Sequence, residues 1–231
     1  MPTVVVTGAN RGIGLELVKR YAAAGDTVVA CARAPGEADV LNDVAAGEGQ
    51  VEVLPLDVAD GGSVAALGEA LADRTVDVLI NNAGISGPPR ERQTLREMDY
   101  EGWLRTFEVN TLGPLRVLQT LLPQLARAEA GKAVTITSQL GALSFEVPTS
   151  YAYCSSKAAV NKVMRMAAQE LEREGIAVCL IHPGWVRTDM GGPKGDLSVD
   201  ESAEGIVRVI DGLTLADSGR FLKWNGEPHG W

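Results

Sequence analysis

Thr3-Val4-Val5-Val6-Thr7-Gly8-Ala9-Asn10-Arg11-Gly12-Ile13-Gly14 is the stretch that decides the fold of this 231-residue chain. Three consecutive valines between threonines predict a short buried strand over Thr3–Thr7. A helix follows over Gly12–Ala24, with Ile13, Leu17, Val18 and Tyr21 on one face. The glycines stand between the two. A turn in that place aims backbone N–H groups and the positive helix end at a bound pyrophosphate. It also lets the chain approach phosphates without a clashing Cβ. The spacing is Gly-x3-Gly-x-Gly, which differs from the common Gly-x-Gly-x2-Gly fingerprint. A turn that only packs strand on helix is the alternative; its position between first strand and first helix favours the phosphate cradle.

Outward from this turn, apolar β-branched runs alternate with helical patterns. Strands are predicted at Thr27–Ala32, Val51–Leu56, Val76–Ile80, Ala133–Thr137, Ile176–Ile181 and Gly219–Lys223. Helices are predicted at Val64–Ala72, Glu101–Arg127, Tyr151–Glu174 and Val199–Leu213. With the first strand, this makes an α/β fold: a Rossmann-like doubly wound parallel sheet of about seven strands with helices on both faces. The whole of 1–231 is expected to be one domain, without internal repeat or linker. Gly191-Gly192-Pro193-Lys194-Gly195 is the one candidate mobile loop.

Such sheets bind ligands at the carboxyl ends of their strands. Gly8 to Gly14, Arg33, Asp57, Asn81 to Gly84, Ser138 and Pro183 to Thr188 each follow a predicted strand end. The second strand closes on Cys31-Ala32-Arg33, without the carboxylate that usually holds the ribose 2′-OH of NAD. Arg33 can meet a 2′-phosphate through paired charge-assisted hydrogen bonds, and Arg11 can add a second positive charge. NADP(H) is therefore the expected cofactor, ahead of NAD(H).

The net charge of −9 argues against a nucleic-acid surface. No apolar run approaches the roughly 20 residues of a membrane span, and the start of the chain does not resemble a signal peptide. The three cysteines, Cys31, Cys154 and Cys179, make no disulfide framework, so a cytoplasmic setting is expected. Two histidines and scattered cysteines give no metal-ligand spacing.

Chemistry is carried by Tyr153 and Lys157, four residues apart on one helix face, with Ser138 upstream. A free tyrosine titrates near about 10, and a positive neighbour lowers that value by favouring the phenolate. Hydride delivery to a carbonyl leaves negative charge on oxygen, and such a phenol can supply the proton there. Tyr151 has Ser155 rather than lysine four residues on, so Tyr153 is the assigned residue.

With these residues in order, the chain resembles the classical short-chain dehydrogenase/reductase family. The likeness rests on Thr7 to Gly14, Asp57-Val58, Asn81-Asn82-Ala83-Gly84, Asn110, Ser138 with Gly141, Tyr153-x3-Lys157 and Pro183-Gly184-x3-Thr188. Val6 to Leu15, Tyr151 to Asn161 and Gly219 to Leu222 are similar to the branch of C-factor and sniffer-type carbonyl reductases. The resemblance implies that Tyr153 is the general acid or base. Lys157 would hold the nicotinamide ribose and lower the Tyr153 pKa. Ser138 would bond the substrate oxygen, and Asn110 would hold a water leading from Lys157. On the cofactor side it implies Gly8, Asn10, Arg11, Gly12, Ile13 and Gly14 at the phosphates. Arg33 joins them, with Asp57 and Val58 flanking adenine and Asn82, Ala83 and Gly84 along the cleft. Pro183, Gly184, Val186 and Thr188 would contact the nicotinamide end, and a substrate lid would lie near 185–200.

The substrate pocket is expected between Ser138–Pro148 and Gly184–Leu197, with Trp185 and Met190 either lining it or packing. His182 is expected to be structural, His229 has no assigned partner, and Cys154 reads as a packing residue. The expected function is NADP(H)-dependent hydride transfer to or from a small carbonyl or alcohol. A C-factor-like signalling or NADP-sensing role is the alternative. The interval between Ser138 and Tyr153 lacks the insertion that blocks association in some carbonyl reductases of this branch, so a homodimer or homotetramer is expected.

Overall fold

The computed structural model describes residues 1–47, 50–146 and 150–231. Seven strands form one sheet: β1 (Thr3–Thr7), β2 (Thr27–Ala32), β3 (Val51–Pro55), β4 (Val78–Asn81), β5 (Lys132–Ile136), β6 (Ala177–His182) and β7 (Phe221–Lys223). Their spatial order is β3-β2-β1-β4-β5-β6-β7, and every pairing is parallel. The order reverses between β1 and β4, so the crevice of this doubly wound sheet opens there.

Side chains alternate along each strand and so feed two cores. Val5 joins Val64, Leu67, Val117, Val160 and Met164 on one face. Val4 and Val6 join Leu17, Val18, Leu41, Ala203 and Ile206 on the other. The first core lies under α3 (Gly61–Ala70), α5 (Gly113–Leu125) and α6 (Tyr151–Leu171). The second lies under α1 (Gly12–Ala23), α2 (Asp39–Gly47) and α7 (Val199–Gly212).

Three helices depart from the sequence reading. Helix α2 is not foreseen, because Leu41 is its one buried side chain and its apolar stripe is too narrow to register. Helix α3 starts three residues before the expected Val64. Its Asp60 cap accepts from the Ser63 amide at 2.6 Å, and this offsets the poor helix propensity of Gly61 and Gly62. The single helix expected over Glu101–Arg127 is two, α4 (Tyr100–Phe107) and α5, joined by a π-helical segment at Glu108–Leu112. The wider π turn falls on Asn110, at the expected site.

The Gly191–Gly195 stretch is tied down rather than loose. Val186 and Leu197 form a parallel bridge. Thr188 Oγ1 accepts from the Gly191 amide at 3.0 Å, and Arg187 Nη1 donates to the Gly195 carbonyl at 2.9 Å. Residues 185–197 thus close into a compact loop across the sheet edge. Among the described residues no helix is long and apolar enough to cross a membrane, and no cluster of potential metal ligands occurs.

Candidate active site

The glycine turn is fastened from behind by β4. Thr7 Oγ1 accepts from the Asn82 and Ala83 amides, both at 3.0 Å. Asn82 Nδ2 donates to the carbonyls of Thr7 and Gly8, also at 3.0 Å each. Asn82 is therefore the clasp that shapes the turn, a role the sequence reading did not give it. Gly8 adopts φ +65°, which favours glycine. At Gly14 a Cβ would stand 2.3 Å from the Gly8 carbonyl oxygen, so the helix can start that close only without a side chain.

Arg11, Arg33 and Asp57 occupy the cofactor side. Arg33 is exposed just past β2 and faces Asp57. Burial alone would raise the Asp57 pKa, but the Ala59 amide and Arg105 together outweigh it and hold the carboxyl low. Arg105 Nη2 lies 3.1 Å from Asp57 Oδ2. Arg11 has a carboxylate partner of its own. Its Nη1 meets Asp189 Oδ2 at 2.5 Å, on the loop after β6. The two arginines expected to act together thus face different carboxylates, Arg11 meeting Asp189 and Arg33 facing Asp57. Val58 is buried, and Pro183, Gly184, Val186 and Thr188 follow β6 on the opposite bank.

Asn110, Ser138, Tyr153 and Lys157 gather past the ends of β4 and β5. Asn110 is fully buried. Its Oδ1 accepts from the Ile85 amide at 2.9 Å, and its Nδ2 donates to the Ile85 carbonyl at 2.8 Å and to Ser156 Oγ at 3.0 Å. Ser156 in turn donates to the Tyr153 carbonyl at 2.8 Å. This ties the π segment, the strand-end loop and α6 into one unit. Ser156 is a site residue that sequence reasoning missed; its place one residue before Lys157 was the available signal.

Ser138 caps a short turn by accepting from the Leu140 amide at 3.1 Å. That turn lies directly on α6. A Cβ on Gly141 would come within 2.7 Å of the Lys157 carbonyl carbon, which explains the Ser-x2-Gly pattern sterically. Pro148, at the far end of the pocket-forming stretch named above, lies outside the described residues.

Lys157 is buried. Its Nζ donates to the Ile136 carbonyl at 2.9 Å and sits 5.8 Å from the centre of the Tyr153 ring. Burial lowers its pKa to about 8. For Tyr153 burial dominates and pushes the hydroxyl up to about 12, while its hydrogen bond with Ser138 pulls the other way. In the protein alone the lowering expected from Lys157 does not dominate. Desolvation of a half-buried phenol outweighs an ammonium placed beside the ring face.

His182 closes β6 and is buried as expected of a structural residue. Burial, with His229 and Lys223 adding to it, lowers its pKa to about 4, so it is neutral at pH 7. The two imidazoles meet edge-on at 5.5 Å, which supplies the partner that His229 lacked. Trp185 and Met190 are largely exposed on the loop after β6. The Trp185 indole donates to the Gly191 carbonyl at 2.8 Å. A cavity of about 290 Å³ lies behind this loop, between Gln139, Gly184, Trp185 and His229. A second hollow of about 280 Å³, lined by Arg208 and Arg220, sits between α7 and β7 and contains none of the four catalytic candidates.

A glycine cradle after β1 and a Ser–Tyr–Lys cluster after β5, on one edge of a doubly wound sheet, define an α/β protein of the dinucleotide-binding type. The chain belongs to the short-chain dehydrogenase family, whose model matches residues 2–197. C-signal of Myxococcus xanthus is 45% identical over 157 residues, covering 68% of this chain and 93% of the relative. The 1-hydroxy-2-glutathionyl-2-methyl-3-butene dehydrogenase of Rhodococcus sp. strain AD45 is 33% identical over the full length of both. Among solved structures, NADPH-bound carbonyl reductase from chicken fatty liver superposes with a TM-score of 0.91 at 33% identity, covering 100% of this chain and 99% of the other. Carbonyl reductase Sniffer of D. melanogaster gives 0.92 at 29% identity, with both chains fully covered. Both sides of the branch suggested by the sequence are thus represented.

Proposed function

We propose that the chain is an NADPH-dependent reductase of small aldehydes and ketones, a single domain working in the cytoplasm. The observation that carries this reading is the joint placement of Ser138, Tyr153, Lys157 and Asn110 beside the glycine turn. A protein that only bound the cofactor would not need the acid and its buried lysine. The residues fit NADP(H): a glycine turn shaped without side chains at Gly8 and Gly14 follows β1, and Arg33 is exposed just past β2, which ends without a carboxylate of its own. NADP-bound structures among the relatives support the same choice.

When bound, NADPH supplies the hydride to the carbonyl carbon. Ser138 fixes the substrate oxygen by hydrogen bonding. Tyr153 gives its proton to that oxygen as charge develops, leaving an alcohol and a phenolate. Lys157 and Asn110 lie on the route by which the phenolate regains a proton. Lys157, beside the Tyr153 ring, would favour the phenolate as it forms.

The test is NADPH oxidation over a panel of carbonyl compounds. Tyr153→Phe should cut kcat about 10²–10⁴-fold, with the Kd for NADPH unchanged. NAD(H) binding as tightly as NADP(H) would overturn the cofactor assignment. The likeness to C-signal favours a second reading, a signalling or NADP-sensing protein. Tight NADPH binding without turnover of any carbonyl would select it. Exposed Tyr100 and Leu104 on α4 and Met166 on α6 support a homodimer or homotetramer. Light scattering that gives a monomer at micromolar concentration would remove that part.

A further inference from the structure

The cavity of about 290 Å³ stands at the carboxyl ends of β5, β6 and β7, where Gln139, His182 and Trp224 line it. Gln139 directly follows Ser138, and Gly184 brings the nicotinamide-side stretch to the same space. The volume is near the lower end of the roughly 300–1,000 Å³ of ligand pockets, enough for the part of a substrate that lies beyond its carbonyl. Lys223 and Asp196 are also in the lining and carry opposite charges, which gives the cavity no net preference for an ion.

His229, which also lines this cavity, belongs to a segment to which the catalytic reading gives no role. After β7 the chain reverses at Asn225-Gly226. Lys223 donates its amide to the Glu227 carbonyl at 2.7 Å, Pro228 bridges Leu222 antiparallel, and the His229 amide donates to the Phe221 carbonyl at 2.8 Å. The His229 ring packs at a tilt, 4.5 Å from the Phe221 ring, and meets His182 edge-on. Its Nδ1 faces the Gly230 carbonyl at 2.7 Å; a carbonyl only accepts, so Nδ1 carries a hydrogen there.

Two residues on, Trp231 packs 5.4 Å from Phe221 and lies under the Arg165 guanidinium of α6 at 4.8 Å. Its carbonyl accepts the Ser144 amide at 3.2 Å. The segment is therefore anchored at three points: β7, the catalytic helix α6, and the loop that follows Ser138.

We propose that Glu227–Trp231 forms the outer wall of the substrate site. His229 is a substrate-positioning residue in it, and Trp231 is the brace that holds the Ser138–Glu146 loop against it. The first role rests on the reductase reading; the second does not.

The experiment compares wild type, His229→Ala, Trp231→Ala and Trp231→Phe. Trp231 is exposed and His229 only partly buried, and an unchanged Kd for NADPH verifies the fold of each variant. His229→Ala should raise KM several-fold for a two-ring ketone, which reaches the cavity. Its kcat, and its KM for a three-carbon aldehyde, should stay within twofold of wild type. Equal KM changes for both substrates, or none, would overturn the His229 role. Trp231→Ala should speed amide hydrogen exchange at Ser144 and its neighbours at least fivefold, and Trp231→Phe should restore wild-type exchange. Unchanged exchange in Trp231→Ala would overturn the brace. This arm needs no turnover, so it still decides the brace if wild type reduces none of the compounds. That outcome would defeat the reductase reading and the His229 role with it.

Discussion

On the inner side of the cleft, Asn82, Asn110 and Lys157 are fixed by side-chain bonds to backbone carbonyls. On the outer side, Arg11 and Asp189 meet through side chains that are 63% and 78% exposed. Removing one partner of a buried bond strands a polar group in low dielectric, whereas an exposed ion pair is replaced by water at little cost. The inner side is thus built to keep its shape and the outer side to change it. The expected effects of substitution fall in that order.

Gly14→Ala should have the largest effect. Its Cβ would press on the Gly8 carbonyl at 2.3 Å and on Asn82 Nδ2 at 2.5 Å, and backbone cannot step aside as a flexible side chain can. A loss of about 2–3 kcal/mol in urea unfolding is expected, together with loss of NADPH binding. Gly61→Ala is the control, since nothing stands within 4 Å of the Cβ it would add. A similar loss in the control would show that helix-end glycines matter here for reasons other than contact.

Lys157→Met separates stability from chemistry on the same inner side. Burial depresses the lysine from 10.5 to about 8. Below pH 8 it is charged in both states, and the folded state bears the desolvation cost. Between pH 8 and 10.5 the unfolded chain binds more protons, so wild-type stability should rise with pH from this group. The variant should therefore unfold with a gain on the order of 2 kcal/mol at pH 7, net of the lost bond to Ile136, and the gain should fade towards pH 10.5. Activity should be lost throughout. A variant less stable than wild type at pH 7 would show that the Ile136 bond outweighs desolvation.

His182, at the floor between the two sides, should respond on the acid side. Its pKa is depressed from 6.5 to about 4 by burial first, then by His229 and Lys223. The stability it contributes is present above pH 6.5 and is lost as pH falls towards 4. His182→Asn should lack about 1–2 kcal/mol of that slope when acid unfolding is compared with wild type. Parallel curves would mean that the imidazole keeps an ordinary pKa.

The inner side was also the legible one. The glycines of the turn, Asn110, Ser138, Tyr153 and Lys157 could be placed from sequence, because strand ends and a four-residue helical spacing fix where such residues must stand. The use of Asn82 as a clasp was not legible, since an amide at a strand end can face a ligand or a neighbouring turn equally well. The π segment escaped for a related reason: hydrophobic periodicity runs on through one extra residue. Helix α2 escaped because it buries one side chain. The Arg11–Asp189 pair joins residues 178 positions apart, and nothing local announces it. Contacts made by exposed side chains across loops depend on how those loops fold, and loop shape is the part of the chain that spacing constrains least.

That pair is also where the smallest effect on stability should accompany a visible effect on function. Arg11 stands on the turn after β1 and Asp189 on the loop after β6; β4 and β5 lie between them in the sheet. The ion pair therefore spans the edge on which Asn82 to Gly84 and Ser138 are placed. An exposed pair contributes about 0.5 kcal/mol or less, so Asp189→Asn should shift the Tm by no more than about 1–2 °C. Loss of the tie should let the loop open more often and speed NADPH release several-fold, measured by stopped-flow displacement. The wild-type rate should approach that of the variant at 1 M salt, where screening weakens the pair. A Tm drop of more than about 4 °C, with release unchanged, would place the loop with the rigid inner side and erase the contrast between the two.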